Sequence, residues 1–287
     1  MNPRLELLSD RWRDRVSEAV TFLEGRGFQG EVGLVLGSGL GNFVDQVEDA
    51  EAIPYGEIPG YHSTSVAEHK GQLVRGTAAG VPVIVMQGRL HPYEGLDPAE
   101  LLLPTAVLAC LGVSTVVVTN AAGGLNRLFK PGDLMVIRDQ IDLHWHDPLR
   151  GLLADPLGEV GRATGRVPGP LHLYDHRKAR ALAEAAASTG VPMHQGVYAS
   201  MYGPAYEAKT EIGMLRRMNC DSVGMSTAPE AALLHRLGVS VVGLSCITNP
   251  ARETGQPELS HQDVVEVGAM VRERVADVLL AGLPGLR

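Results

Sequence analysis

Residues 87–95, QGRLHPYEG, bring a guanidinium, an imidazole, a phenol and a carboxylate into one short stretch. Arg89 carries a planar fork of donors suited to phosphate or carboxylate. His91 follows two residues later and lies on the same side if the chain stays extended. Gly88 and Gly95 let the backbone turn or approach a ligand closely. These types describe an oxyanion site beside a weakly acidic or basic group; a surface ion-pair loop is the competing account. The apolar run before it, 81–86, reads as a buried strand that delivers the stretch to a sheet edge.

Other stretches offer compatible chemistry. A short apolar strand, 32–36, runs into GSGLG at 37–41, where glycines and Ser38 can point N–H and O–H groups at an anion. The dinucleotide fingerprint fails because Asn42 stands where its third glycine belongs, and no Gly-Lys-Ser/Thr follows. A plain tight turn remains the alternative. The β-branched run 113–119 leads into NAAGGLN at 120–126, read as a loop with freed backbone N–H groups. Three strands therefore end in candidate ligand loops, and open α/β sheets bind ligands at that edge.

Glu207 sits at the start of an expected helix, 208–218, where it either complements the macrodipole or accepts hydrogen bonds from a ligand. Ser226 or Thr227 can cap the next helix or hold an anion at its N-terminus. Asn249 ends the last apolar strand, 239–248, and His261 precedes the closing helix, 262–280. His62 and His69 lie in a loop, with His62 read as having no duty. His144 and His146 invite a metal reading, but no third ligand pattern accompanies them, so no metal site is expected.

The elements that position these groups alternate along the chain. Helical spacing covers 5–23, 97–111 and 175–188; further strands are expected at 52–58, 72–77, 133–143, 193–200 and 221–225. The uncharged stretch 101–119 is long enough to raise a membrane question. Pro104 and Gly112 interrupt it, and it reads as a helix, a turn and a strand. Residues 150–170, rich in Gly and Pro, form the longest loop. With no composition break or repeat, residues 1–287 read as a single α/β domain: a twisted mixed, largely parallel, central β-sheet flanked by helices.

Totals narrow the function classes. A net charge of −8, from 25 basic and 33 acidic residues, argues against sequence-independent nucleic-acid binding. Three scattered cysteines argue against a disulfide framework, and the charged N-terminal stretch has no apolar signal region, so a cytoplasmic, membrane-free protein is expected.

Taken together, GSGLG (37–41), EHKGQL (68–73), GRLHPYEG (88–95), TNAAGGLN (119–126), GPAYE (203–207), VGMSTAPE (223–230) and CITN (246–249) resemble the purine nucleoside phosphorylases of the trimeric, low-molecular-mass class. The motifs span most of the chain in that family's order. The resemblance implies reversible phosphorolysis of purine ribo- or deoxyribonucleosides, giving the free base and (deoxy)ribose 1-phosphate. It assigns phosphate to Ser38, Arg89, His91, the backbone at Ala121, Ser226 and, more weakly, His69. It assigns the sugar to Tyr93, Met225 and His261, and the base to Glu207, Asn249, Tyr206 and Val223. Asn249, His91 and Glu207 carry the chemistry. The partners implied are a purine nucleoside and phosphate, the assembly a homotrimer, and no metal or organic cofactor is required.

The chemistry follows these types. As the bond to the sugar breaks, negative charge builds on the purine, and Asn249 can donate to N7 as it grows. Glu207 can accept from N1–H, which a 6-oxopurine has and adenine lacks; inosine and guanosine are therefore the expected substrates. Glu94 reads as a partner that orients His91 or Arg89. Two departures from the family stand out. No aromatic residue occurs between Arg150 and Leu173, where relatives place one against the neighbouring subunit's sugar pocket; Leu157 is the nearest by spacing. Pro250 stands where some relatives carry lysine. A methylthioadenosine phosphorylase is the alternative within the scaffold, weighed against by Asn249 and the GRxHxYEG form. A non-catalytic nucleoside- or phosphate-binding protein is the alternative from another class.

Overall fold

Alternation along β1 (Val32–Leu36) sorts the molecule into layers. Val35 packs into one apolar cluster, whereas Val32, Leu34 and Leu36 pack into another on the opposite face. A strand buried on both faces needs a helical layer on each. The computed structural model describes residues 2–64, 70–144, 147, 149–155, 172–251 and 261–287, the side chains of 261–270 excepted. Around β1 the chain runs α1 (Asp10–Glu24) before it, then β2 (Glu48–Pro54), β3 (Gln72–Ala78), β4 (Val81–Gln87), α2 (Pro98–Leu101), α3 (Leu103–Cys110) and β5 (Thr115–Gly124). There follow β6 (Leu134–Asp142), α4 (His176–Ser188), β7 (Met193–Ser200), α5 (Lys209–Arg217), β8 (Ser222–Gly224), α6 (Ala228–Arg236), β9 (Ser240–Pro250) and α7 (His261–Gly282). Helices α1, α3 and α6 cover one face, with Trp12, Val16, Leu108 and Leu234 in its core. Helices α4 and α7 cover the other through Leu182, Val275 and Leu279.

The strands form one mixed α/β sheet in the order β2-β3-β4-β1-β5-β8-β7-β6-β9, and β9 returns to pair with β5. That last pairing closes β5, β8, β7, β6 and β9 into a ring. The sheet is therefore open only on the β2 side. There the edge strand is exposed along nearly its whole length and carries Glu48, Asp49 and Glu51, charges that discourage edge-to-edge association.

β5 is the strand that makes room for a ligand. One of its edges pairs with β9 through Gly124. Its other edge pairs with β1 only as far as Val118, and with β8 only at Gly123 and Gly124. Between those two partners, residues 119–122 have an open edge at the point where neighbouring strands diverge, the usual place for a crevice in such sheets.

Several expectations are corrected. The NAAGG segment is strand, not loop; its glycines allow close approach rather than a turn. The helix expected over 97–111 is two pieces. Pro104 has no N–H and its ring crowds the carbonyl four residues back, so the backbone breaks at Leu102. The first helix starts at Asp10, after a short 3-10 turn at Leu5–Leu7. The uncharged stretch 101–119 divides between α3 and β5, and among the described residues no helix is long and apolar enough to cross a membrane. Residues 156–171, including Leu157, lie outside the described residues.

Gly37 lets the end of β1 touch β5. A β-carbon there would sit 2.9 Å from both the Thr119 carbonyl oxygen and the Asn120 α-carbon, and both obstacles are backbone. Gly37→Ala should therefore pry the two strands apart where the crevice begins. The expected cost is about 1–3 kcal/mol, seen as a lower thermal midpoint than wild type; an unchanged midpoint would show that the contact can relax.

Candidate active site

Three chain segments meet at the open edge of β5. The turn after β1 brings Gly37 and Ser38, with the Leu40 N–H donating to the Gly37 carbonyl at 3.1 Å. The segment after β4 brings Arg89, His91 and Tyr93. The segment after β8 brings Met225 and Ser226. With Asn120, Ala121, Tyr206, Glu207, Val223, Thr248 and Asn249 they line a cleft of about 880 Å³, counting its open mouth. Of the residues singled out from the sequence, Ser38, Arg89, His91, Tyr93, Ala121, Tyr206, Glu207, Val223, Met225, Ser226 and Asn249 line this cleft. His69 and the His261 side chain lie outside the described residues.

Arg89 is buried, not displayed on a surface loop, which removes the ion-pair-loop account. Its Nη2 donates to the Thr119 carbonyl at 2.6 Å and reaches the Val35 carbonyl at 3.4 Å, bridging β5 and β1 where they part. Its Nη1 donates to Ser226 Oγ at 2.7 Å and to Thr227 Oγ1 at 3.3 Å. Its Nε lies 3.6 Å from Glu230 Oε1. Glu230, in the first turn of α6, was not singled out from the sequence. The available signal was an acidic residue in an otherwise apolar helix start, three residues after a hydroxyl pair.

Glu94 partners His91 rather than Arg89. Its Oε1 accepts from the His91 backbone N–H at 2.7 Å and lies 3.3 Å from His91 Nδ1. This holds the imidazole with its other nitrogen turned away from Glu94. The ring also stacks on Tyr93, with centroids 5.0 Å apart. Gly88 and Gly95 both take positive φ, so the backbone bends as glycine permits.

Neither hydroxyl at the start of α6 caps it through its side chain. Thr227 holds the N-cap position without a side-chain cap bond. It lies at φ 73°, ψ −50°, an outlying conformation for a β-branched residue that costs on the order of 1–3 kcal/mol. Ser226 is anchored through its backbone: its carbonyl accepts from Tyr198 Oη at 3.1 Å and Ser200 Oγ at 2.9 Å. Burial pushes the Tyr198 phenol up to about 12, which keeps that donor protonated.

The far end of the cleft is built differently. β9 carries one extra residue opposite the step from Ala122 to Gly123, a bulge of the kind that re-aims a side chain. Thr248 donates its hydroxyl to Asn249 Oδ1 at 2.9 Å. With the carbonyl oxygen engaged, the amide presents N–H donors. Gly123 lies against it: a β-carbon there would stand 3.4 Å from Asn249 Nδ2. Glu207 precedes α5, whose N-cap is Ala208; the N-cap N–H is satisfied by Glu211 Oε2 at 2.7 Å. Glu207 is thus not the helix cap. Burial raises its carboxyl pKa, a backbone hydrogen bond opposes the rise, and the charge of Glu211 adds to it. Tyr206 stands at the rim, 48% exposed.

The remaining histidines have structural neighbours. His62 Nε2 lies 3.3 Å from Glu100, which also accepts two hydrogen bonds from Arg15. His144 Nδ1 is bound to Asp142, and His146 lies outside the described residues. Among the described residues no three His, Cys, Asp or Glu side chains gather as metal ligands.

Comparison with known proteins agrees with this arrangement. Residues 31–283 match the family described as Phosphorylase superfamily. The chain is 40% identical over 261 residues to purine nucleoside phosphorylase 1 of Geobacillus stearothermophilus, covering 91% of this chain and 93% of that one. It is 37% identical over 268 residues to purine nucleoside phosphorylase of Bos taurus, covering 88% and 89%. The crystal structure of the Schistosoma mansoni purine nucleoside phosphorylase in complex with adenosine superposes with a TM-score of 0.85 at 34% identity, covering 96% and 98%. With its motifs, its strand order and these likenesses in accord, the chain belongs to the phosphorylase superfamily, among the purine nucleoside phosphorylases.

Proposed function

We propose that this protein catalyses the reversible phosphorolysis of purine (deoxy)ribonucleosides and prefers the 6-oxopurines inosine and guanosine, a reaction suited to purine salvage. The observation that carries the reading is the opposed chemistry at the two ends of one cleft. At the β1–β5 end, Arg89, Ser226, Ser38 and His91 offer positive charge and donors. At the β9 end, Thr248 engages the Asn249 carbonyl oxygen at 2.9 Å, so the amide meets its ligand with N–H, and Glu207 meets it as an acceptor.

In this reading phosphate sits against Arg89, His91, Ser38, Ser226 and the backbone at Ala121, with His69 nearby. Tyr93, Met225 and His261 hold the sugar, and Val223 and Tyr206 pack on the base. The glycosidic bond breaks with its electron pair moving to the purine. Asn249 donates to N7 as charge accumulates, which favours the transition state over the ground state. The sugar gains oxocarbenium character, and a phosphate oxygen completes the new bond at C1′. Holding phosphate and C1′ in register removes much of the entropic barrier. A homotrimer working in the cytoplasm without metal or organic cofactor belongs to the same proposal.

Base selectivity follows from donors and acceptors. Glu207 accepts from the N1–H of hypoxanthine or guanine and from the guanine 2-amino group; the bare N1 of adenine faces it with repulsion. A relative was crystallised with adenosine, so turnover rather than occupancy is the discriminating measurement. Purified protein should consume inosine and guanosine only when phosphate is added, and adenosine far more slowly. Adenosine turned over as fast as inosine would overturn the base assignment, and methylthioadenosine turned over in place of inosine would overturn the substrate class.

Asn249→Ala should lower kcat/KM for inosine by roughly 10²-fold or more, read in steady-state kinetics; wild-type kinetics would remove Asn249 from the mechanism. The raised Glu207 pKa predicts a pH effect on base binding. A protonated acid is a weaker acceptor than a carboxylate and turns one of its oxygens into a donor, so it holds N1–H less well. Hypoxanthine affinity, titrated in phosphate-free buffer, should therefore weaken as pH falls, with a midpoint above the ordinary glutamate value of about 4.3. Glu207→Gln should bind weakly at every pH and lose that transition. A midpoint at or below the ordinary value would contradict the assignment.

A further inference from the structure

Ser226, Thr227 and Ala228 form a γ-turn of the strained hand: the Ala228 N–H donates back to the Ser226 carbonyl at 2.8 Å around a Thr227 at φ 73°, ψ −50°. Glycine would take this conformation with less strain. A threonine buried there with its hydroxyl engaged invites the question of what that hydroxyl does.

Its surroundings answer by counting protons and lone pairs. A hydroxyl donates once and accepts twice. Thr227 Oγ1 accepts from Asn120 Nδ2 at 2.9 Å and from Arg89 Nη1 at 3.3 Å. Both lone pairs are then used, and its proton is left for Ser226 Oγ, 3.2 Å away. Ser226 Oγ already accepts from Arg89 Nη1 at 2.7 Å. With Thr227 as its second donor, its accepting capacity is filled as well, so its own proton can only be donated. The Ser226 backbone offers that proton no outlet: its carbonyl accepts from Ala228, Tyr198 and Ser200, and its N–H donates to Tyr198 Oη at 3.3 Å. Ser226 lines the cleft and also a smaller cavity beside Glu230, and the proton turned into the cleft is the one an oxyanion there would accept.

We propose that Thr227 is a positioning residue whose hydroxyl makes Ser226 an obligate hydrogen-bond donor, so that the Arg89–Ser226 corner offers an oxygen of a tetrahedral oxyanion a donor and no acceptor. The chain of command runs from Asn120 to Thr227 to Ser226, with Arg89 holding the two hydroxyls together. This deepens the phosphate reading given above and rests on it. It also explains why the fold retains strain at this turn: relieving it with glycine would discard the hydroxyl.

Three substitutions separate the hydroxyl from the backbone. Thr227→Val keeps volume and β-branching and removes the hydroxyl. Thr227→Ser keeps the hydroxyl. Thr227→Gly removes the hydroxyl together with the strain. Steady-state kinetics with inosine and inorganic phosphate, and calorimetric titration of each protein with inorganic phosphate alone, give the readouts. Thr227→Val should raise the phosphate KM and Kd by roughly 10-fold or more, as loss of a charge-assisted donor implies, with the inosine KM at saturating phosphate nearly unchanged. Thr227→Ser should restore phosphate binding. Thr227→Gly should melt no lower than Thr227→Val yet bind phosphate as weakly, and it replaces the valine variant as the test if that variant fails to fold. Unchanged phosphate affinity in both hydroxyl-free variants, a matching rise in both KM values, or a serine variant as weak as valine would overturn the proposal. A wild-type protein that consumes no inosine with phosphate would instead sink the reading beneath it, a result independent of the variant series.

Discussion

A guanidinium taken out of water is the constraint on which the site depends. Arg89 is buried between the ends of β1 and β5, and its charge is balanced by Glu230 at 3.6 Å and by carbonyl oxygens of both strands. Removing one partner of a buried pair costs about 3–5 kcal/mol because the other charge is left uncompensated. Neither Arg89 Nε nor Glu230 Oε2 has a direct hydrogen bond. The arrangement is therefore not built for maximal stability. It holds a cation at a set place, with its two terminal nitrogens immobilised by hydrogen bonds.

The same logic recurs at smaller scale around the cleft. Glu94 fixes the His91 ring, Thr248 fixes the Asn249 amide, and Tyr198 fixes the Ser226 backbone. In each case a residue one layer out consumes a hydrogen-bonding capacity that would otherwise leave the inner residue free to rotate. The stored costs, a positive φ at Thr227 and a carboxylate held partly out of water at Glu207, fall on residues that face the ligand or touch those that do.

Much of this was legible in the residues. Strands β1 and β7 have the bounds expected of them, and Glu94 stands three residues from His91, close enough to be read as its partner. What escaped depends on contacts between distant segments. Periodicity does not encode register, so nothing local revealed that β5 continues past Thr119 along β9, and its glycines imitated a loop. The bulge at Thr248 exists only relative to β5. The pairing of Arg89 with Glu230 joins residues on separate elements brought together by sheet order. At Thr227 a good capping residue in a capping position was drawn instead to Asn120 and Arg89, a tertiary demand overriding local preference.

β5 also acts as a ruler. The carbonyl that Arg89 grips belongs to Thr119, and the residue beneath the Asn249 amide is Gly123. At about 3.3 Å per residue those four steps span roughly 13 Å along one strand, locked on one side by β9 and at both ends of the other by β1 and β8. The spacing between the Arg89 end and the Asn249 end of the cleft is thus a property of one backbone segment. Inserting a single residue would both lengthen the scale and turn its later marks to the opposite face. Evolution of this pocket toward ligands of other lengths is consequently closed along β5, and change in specificity has to come from the side chains that stand at either end of it.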